Sequence, residues 1–348
     1  MGRVELILTT NPGIEDIVAG EAAAKLAAEL VEAREGHGRV VVRVDEDKLY
    51  LVEELRSIHR ARLLLARGSV CAARSCLDEV YRLVLESGVE DYLTPDSSFA
   101  VRVTRAGSHE YTSLDIARVA GDAVIEAARR RRGFRPRVDL DYPSVIVAVD
   151  VVNEEAAVSI ELGGDLSWHR RGYRIYDHPA ALKPTLAYAM IMLSGAVDGD
   201  HIMDPMCGGG TVAVEAALTF ESSPVTCMDK NPRHIRGAMM NAAAALVGSR
   251  IRFLVGDATR LSSYIDSVDV VVSNPPYGIR MGSPSKVRRV YEVFVDEAAR
   301  VVRKRIAVIT PEYGYFRRLL ESRGWKVVHE RRVAHGNLYP HIIVAEPG

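Results

Sequence analysis

The sequence is poor in cysteine and tryptophan, with four and two of these residues in a chain of 348. The cysteines form no C-x-x-C pair and no zinc-ligand set with histidine, and no two of the ten histidines are spaced i, i+4. These absences exclude the common zinc-binding patterns, and we expect no metal. We expect buried or incidental thiols at all four cysteine positions, namely Cys71, Cys76, Cys207 and Cys227.

Long apolar runs are also missing. None approaches the ~18 residues that would span a bilayer, so we expect no membrane segment. The first eight residues lack the apolar core of a signal peptide and include the acidic Glu5. We therefore expect a cytoplasmic protein.

Overall charge is nearly balanced, with a formal net charge of −1, and does not point to a nucleic-acid partner. Positive charge is concentrated in residues 129–137, at the end of a predicted helix, where cations are favourable. Such a run is most often a solvated helix end. It becomes an RNA-binding candidate only if the surrounding region binds RNA; the residues are Arg129, Arg130, Arg131, Arg132, Arg135 and Arg137.

The chain length suits two to three domains, and the pattern of strands and helices divides it into three regions. Residues 1–60 read strand, helix, strand, helix, with the last helix over 46–57. Residues 61–165 carry a second α/β pattern, including a helix that begins at Thr112–Ser113 and ends at Gly133. A basic connector, 166–178, follows.

Strands and helices then alternate from residue 179 to residue 348. This alternation predicts a doubly wound, mostly parallel sheet of seven strands. The last two predicted strands, near 325–331 and 339–345, have no helix between them. We therefore expect the sheet to end in an antiparallel hairpin.

A glycine-rich loop follows a short predicted strand, in residues 202–211, IMDPMCGGGT. Glycines let the backbone approach a ligand and aim the N–H groups of the next helix at it. A dinucleotide site would instead carry G-x-G-x-x-G, and the acid Asp204 suits a cationic ligand such as S-adenosylmethionine. A plain glycine-rich turn is the alternative. The candidate residues are Asp204, Met206, Cys207, Gly208, Gly210 and Thr211.

Two further acids follow the next two predicted strands. Asp229, followed by Lys230, ends one strand, and Asp257, followed by Ala258, comes just after the other. In nucleotide-binding α/β folds an acid at the second strand end accepts hydrogen bonds from ribose hydroxyls, and Asp257 is placed to accept from an adenine amine. Each acid alone is an ordinary helix cap. Three acids at successive strand ends indicate one ligand site.

The motif NPPYG at 274–278 follows the next predicted strand. An exocyclic purine amine is a poor nucleophile, because its lone pair is delocalised into the ring. The side-chain oxygen of Asn274 and the backbone carbonyl of Pro275 can hold both amine hydrogens and turn the lone pair towards a methyl group. Paired prolines stiffen the loop, and Tyr277 offers a ring on which a flipped base can stack. A structural turn is the alternative.

These C-terminal motifs resemble those of class I, or Rossmann-like, methyltransferases that modify exocyclic amino groups. Residues 169–174, HRRGYR, and 178–185, HPAALKPT, resemble the RNA guanine-N2 branch. Residues 61–165 are similar to the THUMP domain of that branch, and residues 1–60 resemble the small ferredoxin-like domain that precedes it. The resemblance implies an α/β methyltransferase domain after two α+β domains.

The resemblance also implies a cofactor, a partner and further site residues. The cofactor is S-adenosylmethionine, and its methionine part is held by residues 179–185, with Pro179, Ala181, Lys183 and Thr185 as candidates. The partner is tRNA, with the THUMP domain at the acceptor stem and its single-stranded 3′ end. Neither DNA nor a membrane is implied, and we expect a monomer. Further RNA-binding candidates are Arg170, Arg171, Arg174 and Arg280.

The opening residue of the motif bears on the target. Relatives that methylate guanosine 6 of tRNA typically carry Asn there, whereas those acting on position 10 begin with Asp. Asn274, with Arg280 shortly after it, favours position 6. Position 10 and ribosomal RNA guanine remain open alternatives.

Other functions also share parts of the pattern. DNA adenine and protein glutamine methyltransferases carry Asn-Pro-Pro-Tyr, but a DNA enzyme would have a target-recognition domain in place of a THUMP-like one. A non-catalytic RNA-binding scaffold is the most remote alternative, because both the glycine loop and residues 274–278 are intact.

Overall fold

The computed structural model describes residues 2–164, 167–178, 180–277 and 284–348. The chain forms two compact units. The first contains residues 1–9, 19–33 and 39–168, and the second contains residues 10–18, 34–38 and 169–348. The three-domain division made from the sequence stays a prediction, and these two units divide the chain differently.

An eight-stranded sheet organises the first unit, in the order β2-β3-β1-β4-β8-β7-β5-β6. Its elements are β1 (Arg3–Thr9), α1 (Glu15–Leu26, whose first turn counts with the second unit), β2 (Glu29–Ala33), β3 (Arg39–Asp45), β4 (Arg60–Ser69), α2 (Leu77–Leu85), β5 (Ser98–Ala106), α3 (Ser113–Arg132), β6 (Arg137–Val138), β7 (Val145–Val152) and β8 (Glu155–Leu162). Strand β1 pairs with both β3 and β4, so strands on either side of residue 60 share one sheet.

Helix α3 has the ends that the sequence predicts. The Thr112 side chain accepts from the Asp115 N–H, the Asp115 carboxylate accepts from the Thr112 N–H, and Gly133 ends the helix at φ +77°. The helix predicted over 46–57 is wrong in type. Residues Glu46–Glu54 form 3-10 turns instead, which tighten the backbone of a short connection.

A seven-stranded sheet organises the second unit, in the order β11-β10-β9-β12-β13-β15-β14. Its elements are α4 (Pro184–Leu193), β9 (Ile202–Asp204), α5 (Thr211–Thr219), β10 (Val225–Asp229), α6 (Pro232–Ala244), β11 (Ile251–Val255), β12 (Val268–Ser273), α7 (Pro284–Val301), β13 (Val302–Thr310), α8 (Tyr313–Ser322), β14 (Trp325–Arg332) and β15 (His341–Pro347). The first five strands in this order pair in parallel. The expected terminal hairpin is present, with β15 between β13 and β14 and antiparallel to both.

Both faces of this sheet are buried, as near-continuous apolar strands require. Along β12, Val270 and Val272 face the core beneath α4, α5 and α6, while Val271 faces the core beneath α7 and α8. The doubly wound arrangement predicted from the sequence is confirmed. It brings the carboxyl ends of the parallel strands to one edge, where α/β sheets bind ligands.

The N-terminal segment 10–18 belongs to this second unit, which the sequence did not indicate. Ile14 is fully buried in the core that contains Leu186 and Val333. The N–H of Ala334 donates to the carbonyl of Pro12 at 2.9 Å. Of the helices within the described ranges, none is long and apolar enough to cross a membrane.

Candidate active site

The three predicted acids lie at the carboxyl ends of three neighbouring strands. Cys227 on β10 pairs with Asp204 on β9, which places Asp229 two residues further along. Asp229 pairs in turn with Val255 on β11, which places Asp257 two residues beyond that pair. The acids therefore form a staggered row along the ligand-binding edge of the sheet.

Asp204 is the most deeply buried of the three, with 3% of its surface exposed. Its Oδ1 accepts from the Ser273 hydroxyl at 2.8 Å and from the Met206 N–H at 3.1 Å. Burial penalises the charged form more than these bonds favour it, and it raises the pKa of Asp204 to about 7. A cationic ligand at this carboxyl would favour its ionised form.

The glycine loop is held in a shape that larger residues would not adopt. Gly208 and Gly210 have φ values of +51° and +78°. A Cβ on Gly210 would lie 2.8 Å from the Cβ of Ala238 on α6. The N–H of Gly208 donates to Oδ2 of Asp229 at 3.0 Å, which fixes the loop against β10.

Asp229 retains room for a further donor. Its Oδ1 accepts from the Asn231 N–H at 2.8 Å and lies 3.2 Å from Nδ1 of His234. With the bond from Gly208, three contacts occupy the roughly four acceptor positions of a carboxylate. Oδ2 therefore keeps a position that suits a ribose hydroxyl.

His234 also contacts His178, with ring centroids 4.5 Å apart. His178 lies beside the glycine loop, and burial, together with the neighbouring His234, lowers its pKa. The sequence motif contained His178 without assigning it a role, and no pattern pointed to His234.

Asp257 caps the turn that follows β11. Burial alone would raise its pKa, but hydrogen bonds from the N–H and hydroxyl of Thr259, at 2.9 and 2.8 Å, lower it below its usual value. Both bonds end on Oδ1. Ala258 is buried behind it, and the exposed Lys230 lowers the pKa of Asp257 further. Asp257 is thus an ionised acceptor at neutral pH.

Asn274 stands at the end of β12 with one half of its amide unused. Its Nδ2 donates to the carbonyl of Ala180 at 3.2 Å, while its Oδ1 is buried and has no hydrogen-bond partner within the described chain. An unpaired buried acceptor costs about 1–3 kcal/mol. A donor from a ligand, such as an amine hydrogen, would satisfy it.

The rest of this loop is fixed from the side of α7. The buried hydroxyl of Tyr291 donates to the carbonyl of Pro276 at 3.0 Å and lies 3.1 Å from the Thr310 hydroxyl. Burial raises the pKa of Tyr291 to about 12, so it is a neutral donor. Burial also raises the pKa of Tyr277 above its usual range, and within the described residues its hydroxyl has no partner. Sequence reasoning missed Tyr291, because no local motif contains it.

Comparison with known proteins adds independent information. A model described as RMKL-like methyltransferase domain matches residues 171–341, and a THUMP domain model matches residues 74–161. A protein of Methanocaldococcus jannaschii named tRNA (guanine(6)-N2)-methyltransferase is 33% identical, over 96% of this chain and 98% of its own. A protein of Archaeoglobus fulgidus with the same name is 34% identical, over 98% of this chain and 92% of its own. The chain belongs to the THUMP-domain methyltransferase family.

The crystal structure of TrmN from Thermus thermophilus is similar throughout. It has a TM-score of 0.84 and 30% identity, with 100% of both chains covered. The predicted combination of a THUMP domain with a class I methyltransferase domain is confirmed, and the chain is a methyltransferase.

In this methyltransferase the connector is attached to the glycine loop through one side chain. Oδ1 of Asn241, on α6, accepts from the Tyr176 N–H at 2.8 Å. Its Nδ2 donates to the carbonyls of Tyr176 at 3.0 Å and Gly209 at 2.9 Å. A Cβ on Gly237 would lie 2.2 Å from the Tyr176 ring, so the connector packs directly on α6. Asn241 carries no motif, and the sequence did not single it out.

Residues 180–185 combine half-exposed and buried positions. Ala181 is partly exposed, and burial lowers the pKa of the half-buried Lys183. Thr185 is a correction, because it is fully buried and its hydroxyl donates to Oδ1 of Asn11 at 2.7 Å. It supports the loop and is no longer a candidate for direct cofactor contact. Pro179 lies outside the described residues.

The connector arginines differ from one another. Arg171 is 13% exposed and pairs with the buried Glu215 at 3.1 Å, so we remove it from the RNA-binding candidates as a correction. Arg174 pairs with the exposed Asp177 at 2.8 Å, and Arg170 is exposed. Arg280 lies outside the described residues.

The arginine run in the first unit is partly occupied by ion pairs. Arg131 pairs with the buried Glu90 at 2.6 Å. Three others have carboxylate partners: Arg130 with Glu126, Arg132 with Asp91 and Arg137 with Asp139. In the part of the chain that the structure describes, the exposed Arg129 and Arg135 have no carboxylate within 4.0 Å. These two are the stronger candidates for phosphate contacts.

The cysteines differ from expectation. They form two disulfides, Cys71–Cys76 and Cys207–Cys227, where the sequence suggested free thiols. Cys207 lies in the glycine loop and Cys227 on β10, beside Asp204 in register. The second bridge therefore ties the loop to the strand that carries Asp229. Its partners are distant in sequence and meet only through strand pairing.

Proposed function

We propose that this methyltransferase transfers a methyl group from S-adenosylmethionine to the exocyclic N2 of guanosine 6 in the acceptor stem of tRNA. The unpaired Oδ1 of Asn274 carries the proposal, because it is a preformed acceptor for an amine hydrogen at the edge of the sheet. The names of the M. jannaschii and A. fulgidus relatives support the target nucleotide. The proposed substrate also implies action in the cytoplasm, and we expect a monomer.

The residues at strands β9 to β11 fit the cofactor. Asp204 offers a buried carboxyl to its cationic methionine part, and the glycine cradle of Gly208 and Gly210 has no space for side chains. Asp229 keeps an acceptor for the ribose, and Asp257 one for the adenine amine. When bound, the cofactor supplies a methyl group on a sulfonium centre.

The loop of β12 would act on the target base. Asn274 is oriented by its bond to Ala180, so that Oδ1 accepts one amine hydrogen while the carbonyl of Pro275 accepts the other. Both acceptors turn the lone pair of N2 out of conjugation with the ring. Tyr277 would support the base by stacking. No general base is required, because the methylated amine loses its extra proton to solvent after transfer.

Guanosine 6 is base-paired in tRNA, so the enzyme must open the stem at a cost of a few kcal/mol. We propose that the THUMP-containing unit supplies most of the RNA affinity, gripping the 3′ end while Arg129 and Arg135 contact phosphates. Removing the 3′ terminus should then lower turnover. The arginines position the RNA, and the pocket at Asn274 selects the base.

Nucleoside mapping tests the proposal. A tRNA transcript is incubated with the enzyme and labelled cofactor, digested, and mapped by mass spectrometry. Label in N2-methylguanosine at position 6 is expected, and it should disappear when adenosine replaces that guanosine. Methylation at position 10 with position 6 untouched, or of ribosomal RNA alone, would overturn the assigned target.

A further inference from the structure

The ligand-binding edge of the second sheet continues beyond Asn274, away from the acids. In strand order, β13 follows β12, then β15 and β14. Thr310 at the end of β13 pairs with His341 at the start of β15, and His341 pairs with Arg332 at the end of β14. These three positions therefore lie along the same edge as Asn274, on the side opposite the glycine loop.

Exposed rings occupy this part of the edge. Tyr313, just after β13, stacks on His341 with centroids 3.7 Å apart and an interplanar angle of 5°. The guanidinium of Arg332 lies 4.5 Å from the ring centroid of Tyr339. Tyr313 is 42% exposed and Tyr339 58%, so neither ring is accounted for by packing in the core. We call Tyr313, His341, Arg332 and Tyr339 the edge patch.

The charge of the edge patch suits a polyanion. The nearby acids are engaged, since Glu330 lies 3.0 Å from Nδ1 of His341 and 3.1 Å from Arg317, and Glu312 accepts two bonds from Arg288. Arg332 is exposed and, over the described ranges, has no carboxylate within 4.0 Å. An aromatic surface beside an uncompensated arginine is the pattern of single-stranded nucleic-acid binding.

The edge patch is connected to the catalytic loop. Tyr291 contacts both the Pro276 carbonyl and the Thr310 hydroxyl, so the loop after β12 and the end of β13 share one hydrogen-bond network. Neighbouring strands are about 4.8 Å apart, so the patch extends to roughly 15 Å from β12. At about 3.4 Å per nucleotide along one strand of a helix, this distance corresponds to a few nucleotides.

We propose that the edge patch stacks the nucleotides that flank the target guanosine once the stem has opened. The inference rests on the proposed function. The flanking bases lose their neighbour when the guanosine is extruded, and the exposed rings of Tyr313 and Tyr339 replace part of that stacking. Arg332 neutralises a phosphate of the same strand.

Steady-state kinetics on full tRNA test this role. Tyr313→Ala and Tyr339→Ala should each lower kcat/KM by roughly 5- to 100-fold, the usual effect of losing one base–aromatic stack. Tyr313→Phe keeps the ring and should retain activity. Cofactor affinity, measured by calorimetry, should be unchanged. Matched controls are Tyr92→Ala, with the same 42% exposure in the other unit, and Arg303→Ser, exposed on β13 far from its carboxyl end.

Arg332→Ser should weaken tRNA binding and reduce the slope of log affinity against log salt by about 0.7–0.9, as for one phosphate. If the patch variants match the controls on a tRNA that the unmodified enzyme methylates, the edge patch does not bind RNA and the inference is wrong. If the unmodified enzyme fails to methylate guanosine 6, the proposed function fails instead. Melting temperatures identify any variant that is simply unfolded.

Discussion

The hydroxyl of Ser273 donates to Oδ1 of Asp204 at 2.8 Å, between two fully or almost fully buried side chains. Ser273 directly precedes Asn274, so this bond joins the acid of the glycine loop to the base-binding loop. The protonation state of one carboxyl therefore affects the two halves of the site together.

Cofactor affinity should depend on pH through Asp204. Its pKa in the free protein is raised to about 7, so below pH 7 the carboxyl must lose a proton before it can pair with a cation. We expect the dissociation constant to rise up to about tenfold per pH unit as the pH falls from 7 to 5. Calorimetric titrations across this range measure it. An affinity independent of pH would contradict the assignment.

Asp204→Asn supplies the matched control. The native pKa lies above the unfolded value, so the charged carboxyl opposes folding and stability is lost as the pH rises from about 4 through 7. The amide keeps an acceptor for Ser273 without the charge. The variant should therefore bind cofactor weakly yet raise the free energy of unfolding at pH 8, by on the order of 1–4 kcal/mol. Denaturant unfolding tests this combination.

Asn274→Ala should impair the chemical step. Its Oδ1 matters most as positive charge develops on the attacking nitrogen, so the loss should fall on kcat. Deleting one such preorganised contact costs about 2.7–4 kcal/mol, a factor on the order of 10²–10³. Asn274→Asp keeps two acceptors and should retain partial activity. A normal single-turnover rate for Asn274→Ala would leave only a structural role for this residue.

Tyr277 should act through its ring. Its hydroxyl is buried without a partner, so Tyr277→Phe should preserve turnover and not lower the melting temperature. Tyr277→Ala should lose stacking worth roughly 1–3 kcal/mol. Turnover and thermal unfolding of both variants distinguish the roles, and a Phe variant as impaired as the Ala variant would assign function to the hydroxyl.

The arginine run should separate into two functions. Replacing Arg129 and Arg135 with Ser should weaken tRNA binding and flatten its salt dependence by about 0.7–0.9 per phosphate, with cofactor affinity unchanged. Arg131→Ser should instead lower stability, because the buried Glu90 loses its cation. A double replacement of Arg252 and Arg303, exposed at the opposite edge of the second sheet, controls for net charge. An unchanged salt slope would make the run a solvated helix end.

Asn11 should stabilise the methyltransferase unit although it lies in the N-terminal region. Its amide donates to the Ala334 carbonyl at 2.8 Å and accepts from Thr185 at 2.7 Å. Asn11→Ala leaves both buried groups unpaired, and it should cost about 1–3 kcal/mol for each. A fragment that begins at residue 166 lacks this segment and should bind cofactor less well than the full chain. Equal melting temperatures and equal affinities would show that the segment is dispensable.

The sequence predicted those features that depend on local pattern. Alternating strands and helices predicted the seven-stranded sheet, and because strand ends meet at one edge, they also predicted that Asp204, Asp229, Asp257 and Asn274 would lie there. The pairing of β4 with β1 and β8 joins distant segments, so the division at residue 60 was not visible as a continuous sheet.

Residues whose roles come from tertiary contacts were missed. Asn241 and Tyr291 act on the backbone of other elements, and both occupy ordinary helical positions. The bridge between Cys207 and Cys227 depends on strand register. For Arg171, composition suggested an exposed cation, but the neighbouring fold supplied a buried carboxylate.

The contact between Asn11 and Ala334 joins residues separated by 323 positions. During synthesis the segment 10–18 leaves the ribosome early, whereas its partners on the β14–β15 connection are among the last residues made. Contacts with such long sequence separation form late, because the intervening chain must first be closed into a loop. The cofactor unit therefore cannot acquire its final packing until synthesis has passed residue 334, and until then the apolar side chain of Ile14 lacks its burial site. A shortened transcript would yield a chain with an ordered first sheet and an incomplete enzyme.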